Sequence, residues 1–121
     1  MYVNLRSEKL MQKAGLFMET VATYRKHGWD LRSVLLQPAT RAELDELAAE
    51  LLKGITVLEA PVDALWFSRP SHENREAWEL RLLAQTPYAL FETFEQDEPE
   101  EDRDDVKREM EARMREYASK E

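Results

Sequence analysis

The 121-residue chain contains no cysteine. That excludes disulfides, zinc–thiolate sites, iron–sulfur clusters and a thiol nucleophile, and it leaves the redox compartment open. Glycine occurs only at Gly15, Gly28 and Gly54. Dinucleotide-binding turns and P-loops need clustered glycines to bring backbone amides onto phosphate, so neither is present. Histidine is also scarce. His27 and His72 lie in different connections without spaced ligand partners, so His27 reads as a helix-end residue, and His72 beside Glu73 as a solvated loop residue rather than a metal ligand. None of Ser7, Ser33, Ser68, Ser71 and Ser119 sits in a Gly-x-Ser-x-Gly elbow. No catalytic residue, cofactor or metal is therefore expected. Long apolar runs are missing too, and the N-terminal stretch lacks the apolar segment of a secretory signal, so the expectation is a cytoplasmic protein that does not enter a membrane.

What is abundant is negative charge, and it is unevenly placed. The net charge is −8; residues 1–91 hold 11 Lys and Arg against 12 Asp and Glu, whereas residues 92–121 hold 6 against 13. Binding to a phosphate backbone works by releasing counterions from a basic stripe, and no such stripe emerges, so nucleic acid is not an expected partner. The acidic run from Glu92 to Asp105 has no central glycine and does not fit an EF-hand loop. It reads as a helix start, with acids at the positive end of the dipole.

Length and a 43% hydrophobic content suit one domain with its own core. Residues 7–27 repeat apolar side chains at Leu10, Met11, Ala14, Phe17, Met18, Val21 and Tyr24, the spacing of an amphipathic helix capped by Ser7 and ended by Gly28. Gly15 in its middle suggests the close approach of another element. Trp29 to Leu36 reads as a strand with Trp29, Leu31 and Leu35 on one side. Thr40 and Glu43 form a capping-box pattern ahead of a second helix reaching Lys53, with Gly54 as its terminator. Ile55–Ala60 suits either a short strand or a packed connection, and residues 62–69 suit a strand. Beyond a polar loop, residues 76–83 and 88–95 alternate apolar and charged residues around Thr86-Pro87 as a β-hairpin. A charged helix at about 98–119 closes the chain. Its thin apolar seam is Val106, Met110, Met114 and Tyr117, and Asp104–Arg108, Glu109–Arg113 and Glu111–Arg115 are its acid-before-base pairs. The expected fold is α+β, with a mostly antiparallel four-stranded sheet in α-β-α-β-β-β-α order and helices packed against it.

The sheet is the place for a function. A four-residue connection at Ala84–Pro87 sets Leu83 opposite Tyr88, Arg81 opposite Leu90 and Glu79 opposite Glu92, with Trp78, Leu80, Leu82, Ala89, Phe91 and Thr93 sharing the other face. A slip of one residue turns the later strand over and separates the two glutamates, and both registers remain open. The candidate pocket or interaction surface is Trp66, Glu79, Arg81, Tyr88 and Glu92, and the helix seam is a second surface. With no motif for chemistry, the leading expectation is a non-enzymatic interaction or regulatory module that meets another protein or a second copy. A homodimer is expected because the seam is narrower than the three strands it would have to cover. The alternative is a small-ligand-binding or enzymatic α+β domain with a pocket between sheet and helices.

Overall fold

The first helix, α1, spans Leu5–Lys26. The structure, a computed structural model, describes the backbone of residues 5–120 and the side chains of residues 13–120. The side chains of Leu10 and Met11 therefore lie outside the described residues. Ala14, Phe17, Val21 and Tyr24 are buried, so the three-and-four spacing seats one face of α1 on the core. Met18 is exposed instead. Ser7 falls inside the helix and not at its cap. Gly28, at φ +85°, ends it, and His27 Nδ1 lies 2.9 Å from the Thr23 carbonyl. Gly15 marks no close approach, because nothing lies within 4 Å of where its Cβ would be.

The sheet has five strands and is mixed, which corrects the four-stranded expectation. Strands β1 (Asp30–Leu36), β2 (Thr56–Glu59), β3 (Ala64–Pro70), β4 (Glu76–Leu82) and β5 (Ala89–Phe94) are ordered β2-β1-β3-β4-β5. The added strand is β2, which pairs parallel with β1 from Ser33↔Thr56 to Leu36↔Glu59, while the other three pairings are antiparallel. A parallel neighbour needs a crossover, supplied by helices α2 (Pro38–Leu47) and α3 (Ala49–Leu52) between β1 and β2. β1 also bulges. Leu31 faces Phe67 and Ser33 faces Trp66, leaving Arg32 as the extra residue. Because of that bulge, Leu31 and Leu35 fall into different apolar clusters and do not share one side.

Each face of the sheet has its own cover. Leu31, Val34, Leu36, Leu65 and Phe67 pack with α1 and α2. Leu35, Trp66, Leu80 and Leu82 pack with α4, the helix over Glu100–Ser119. In α4, Met110 and Met114 are buried and Val106 and Tyr117 half-buried, so the thin seam is seated on the sheet. Of its three expected ion pairs only Glu109–Arg113 forms, at 3.0 Å; Arg108 pairs with Asp105, and Glu111 turns inward.

The crossover is anchored differently from the capping-box pattern. α2 begins at Pro38 behind Gln37, with no side-chain cap, and the helical stretch breaks at Ala48. Thr40 is buried inside the helix, and its hydroxyl donates to Asp63 Oδ2 at 2.8 Å. Asp63, itself buried, also accepts from the Gln37 amide (2.8 Å), Gln37 Nε2 (3.1 Å) and Lys13 Nζ (3.1 Å). One carboxylate just ahead of β3 thus ties α1, the start of α2 and the sheet together. Glu43 is turned to α1 instead, where it accepts the Ala14 amide at 2.7 Å. Burial pushes its carboxyl above the usual range, against the opposing pull of the Ala14 amide and the Lys13 charge. Replacing Asp63 with Ala strands the Thr40 hydroxyl and the Gln37 amide, and should cost about 2–4 kcal/mol in chemical denaturation. Asp45→Ala removes an exposed carboxylate 3.7 Å from Arg41 and should cost less than about 0.5 kcal/mol. Equal effects would show that Asp63 is no anchor.

Candidate functional site

The β4–β5 register decides what the site can be. Leu82 and Tyr88 are joined by the Leu82 amide to Tyr88 carbonyl bond (2.9 Å), and the Leu83 amide is held by the Asp63 carbonyl (2.9 Å). Five residues, 83–87, therefore separate the last paired residues, one more than the four-residue connection. The pairs that follow are Arg81↔Ala89, Leu80↔Leu90, Glu79↔Phe91 and Trp78↔Glu92. The facing of Glu79 and Glu92 is corrected to the slipped register, and Ala89, Phe91 and Thr93 leave the side of Trp78, Leu80 and Leu82. Since side chains alternate, the five candidate residues are divided between the two faces. Glu79 and Arg81 stand on the α1 side. Trp66, Tyr88 and Glu92 stand on the α4 side, so no single pocket joins the five.

On the α1 side the Tyr24 ring stacks on Phe67, with centroids 4.0 Å apart and planes at 14°, and its edge meets Trp29 at 6.0 Å. Its hydroxyl donates to Glu79 Oε2, and the Arg81 guanidinium lies 6.0 Å from the ring centroid. Burial, then the Glu79 bond, push the Tyr24 phenol up to about 12, with Arg81 opposing. Arg69 covers Trp29 at 4.6 Å, and Phe91 meets the same indole at 6.4 Å. Phe91 is 57% exposed, the most exposed large apolar side chain described. Tyr24, Trp29 and Arg69, absent from the candidate set, complete this patch. A sequence signal for Tyr24 was its place on the buried stripe of α1; nothing local linked it to Glu79, 55 residues away.

On the α4 side Tyr88 and Tyr117 stack at 3.6 Å and 5°, so a residue of the candidate surface and one of the seam meet. Trp66 donates from its indole nitrogen to Glu111 at 2.8 Å and meets Trp78 edge-on at 5.9 Å. Glu92 is exposed, and its carboxylate accepts the Thr93 amide at 3.0 Å. A cleft of about 380 Å³ lies at the end of the sheet, lined by Lys13, Asp63 and the 82–86 connection among others. Asp63 is already fully engaged there. Among the described residues no group of three or more His, Asp or Glu could hold a metal ion, and no helix is long and apolar enough to cross a membrane. No protein-family model, curated protein or solved structure matches the chain.

The Tyr24–Glu79 bond has a measurable signature. The neutral phenol contributes stability that is complete below the ordinary tyrosine value of 10.0 and is lost as pH rises towards about 12. In a phenolate-absorbance titration, one of the four tyrosines should ionise near 12, and Glu79→Gln should lower that midpoint by removing the anionic acceptor. An unmoved midpoint would break the link.

Proposed function

We propose that this protein is a non-enzymatic interaction module that pairs through the β5 edge, first of all with a second copy of itself. The observation that carries this reading is Phe91, 57% exposed in the middle of an edge strand. Antiparallel pairs alternate between bonded and non-bonded. Because Leu82 and Tyr88 are a bonded pair, Leu90, Glu92 and Phe94 turn their backbone groups to β4, and Ala89, Phe91 and Thr93 turn theirs outward. An uncovered edge with an apolar centre is a template for another strand. A two-fold pairing centred on Phe91 sets Phe91 against its counterpart and Ala89 against Thr93 of the second copy, joining the two aromatic patches on one face. Glu92 acts as a gate, since its carboxylate must release the outward Thr93 amide before that amide can bond across the edge.

The distribution of titratable groups supports a scaffold over an acid–base site. Tyr24, Glu43 and Lys107, three described groups whose ionisation the fold shifts, lie respectively beside Glu79, at the α1–α2 contact and on α4. No two of them share a site. Light scattering coupled to size exclusion is the test. The native chain should approach twice 14.2 kDa as concentration rises, and Phe91→Lys, which places a charge at the centre of the pairing, should hold it at 14.2 kDa. A native chain that stays at 14.2 kDa at every concentration would overturn self-pairing.

A further inference from the structure

Two cations meet at one indole on the α4 side. Lys107 Nζ sits 3.4 Å from the Trp78 ring centroid, and the Arg32 guanidinium lies 5.7 Å from the same ring. Neither belongs to the ion pairs within 4 Å formed among the described residues. The β1 bulge brings Arg32 to this place. It is the residue without a cross-strand partner, and it lines the cleft beside Ser33. The cleft, about 340 Å³ between α4 and the sheet, is walled by Trp66 and Trp78 and carries Arg32, Lys107 and Arg108 against Asp104 and Glu111. Arg108 is paired with Asp105, and the Trp78 indole N–H donates to Glu76, so Arg32 and Lys107 are the cleft's cations outside the close ion pairs.

We propose that this cleft is a binding site for a small phosphate-bearing ligand, held by Arg32 and Lys107 over the Trp78 face. The two cations match the nearly two negative charges of a phosphate monoester at neutral pH, and Arg32 brings the planar fork that suits phosphate oxygens. Both lining carboxylates are on α4. Glu111 is engaged by the Trp66 indole N–H at 2.8 Å and Glu76 by the Trp78 indole N–H, and Asp104 and Glu76 are the acids near Lys107 that limit affinity for highly charged anions. Burial lowers the Lys107 pKa, with Asp104 and Glu76 pulling the other way. A half-buried ammonium without a close counter-ion gains more from an arriving anion than a solvated one does. The Trp66 and Trp78 rings offer apolar walls for whatever the phosphate is attached to. This site stands on the opposite face from the Phe91 patch, so it is independent of self-pairing.

Tryptophan fluorescence reads the cleft directly, because two of the three tryptophans line it and Trp29 lies on the other face. Inorganic phosphate and phenyl phosphate are titrated at constant ionic strength against chloride. Both should give saturable changes, and Arg32→Gln and Lys107→Gln should each weaken binding about tenfold or more, the loss expected for one charge-assisted hydrogen bond. Arg32 is exposed, so its replacement tests the site without threatening the fold. Arg113→Gln removes the same charge from an exposed, ion-paired position on α4 and should leave affinity unchanged. Tighter binding of phenyl phosphate assigns the cleft to a phosphorylated organic ligand, and equal binding assigns it to free phosphate. A response no different from that of chloride, or one weakened equally by Arg113→Gln, would overturn the proposal.

Discussion

The pairing of β4 with β5 is the constraint on which the surfaces of this protein depend. Period-two alternation makes a one-residue slip an inversion of every β5 side chain. In the observed register Leu90 and Phe94 face α4, where Phe94 is 1% exposed beneath Arg103 and Lys107, and Phe91 is left outside. The opposite register would bury Phe91 and turn Leu90 and Phe94 out. A fully buried Phe94 and a half-buried Leu90 against one Phe91 favour what is seen. The connection enforces the same choice, because Leu83 continues the ladder to Asp63 and so leaves the hairpin.

From that register follow both surfaces. Glu79 and Arg81 come under α1 to meet Tyr24, and Phe91 lies beside Trp29 at the rim of the same patch. Trp78 is turned to α4, where Lys107 and Arg32 converge on it. Asp63 fixes the opposite end of this arrangement. Its side chain holds α1 and α2, and its carbonyl holds Leu83, so the crossover and the hairpin connection meet at one residue.

Local pattern carried much of the architecture. The apolar spacing of Ala14, Phe17, Val21 and Tyr24, the hairpin alternation around Trp78 and Leu80, and the seam of Met110 and Met114 each reflect one element meeting the core. What escaped depends on contacts distant in sequence. Thr40 and Glu43 fit a capping box by spacing, yet Asp63 and Ala14 claim their side chains because tertiary partners were closer at hand. The Arg32 bulge reversed the side of Leu35, and no local residue type announces a bulge without glycine. Strand β2 was ambiguous because its four residues are mostly exposed and its pairing is with a strand on the far side of two helices. The candidate set of Trp66, Glu79, Arg81, Tyr88 and Glu92 named residues that do lie on the sheet, but the slip distributed them over two faces.

The register itself can be trapped covalently, since the cysteine-free chain offers a clean background. Arg81 and Ala89 are directly opposed as a non-bonded pair, the geometry in which two Cβ atoms approach closely enough for a disulfide. Oxidation of the double variant Arg81→Cys, Ala89→Cys, followed by mass spectrometry of the monomeric fraction, is the most direct test. An intramolecular disulfide should form readily there and not in Arg81→Cys, Leu90→Cys, whose side chains point to opposite faces. Ready closure of the second pair and failure of the first would contradict the register and, with it, the placement of both surfaces.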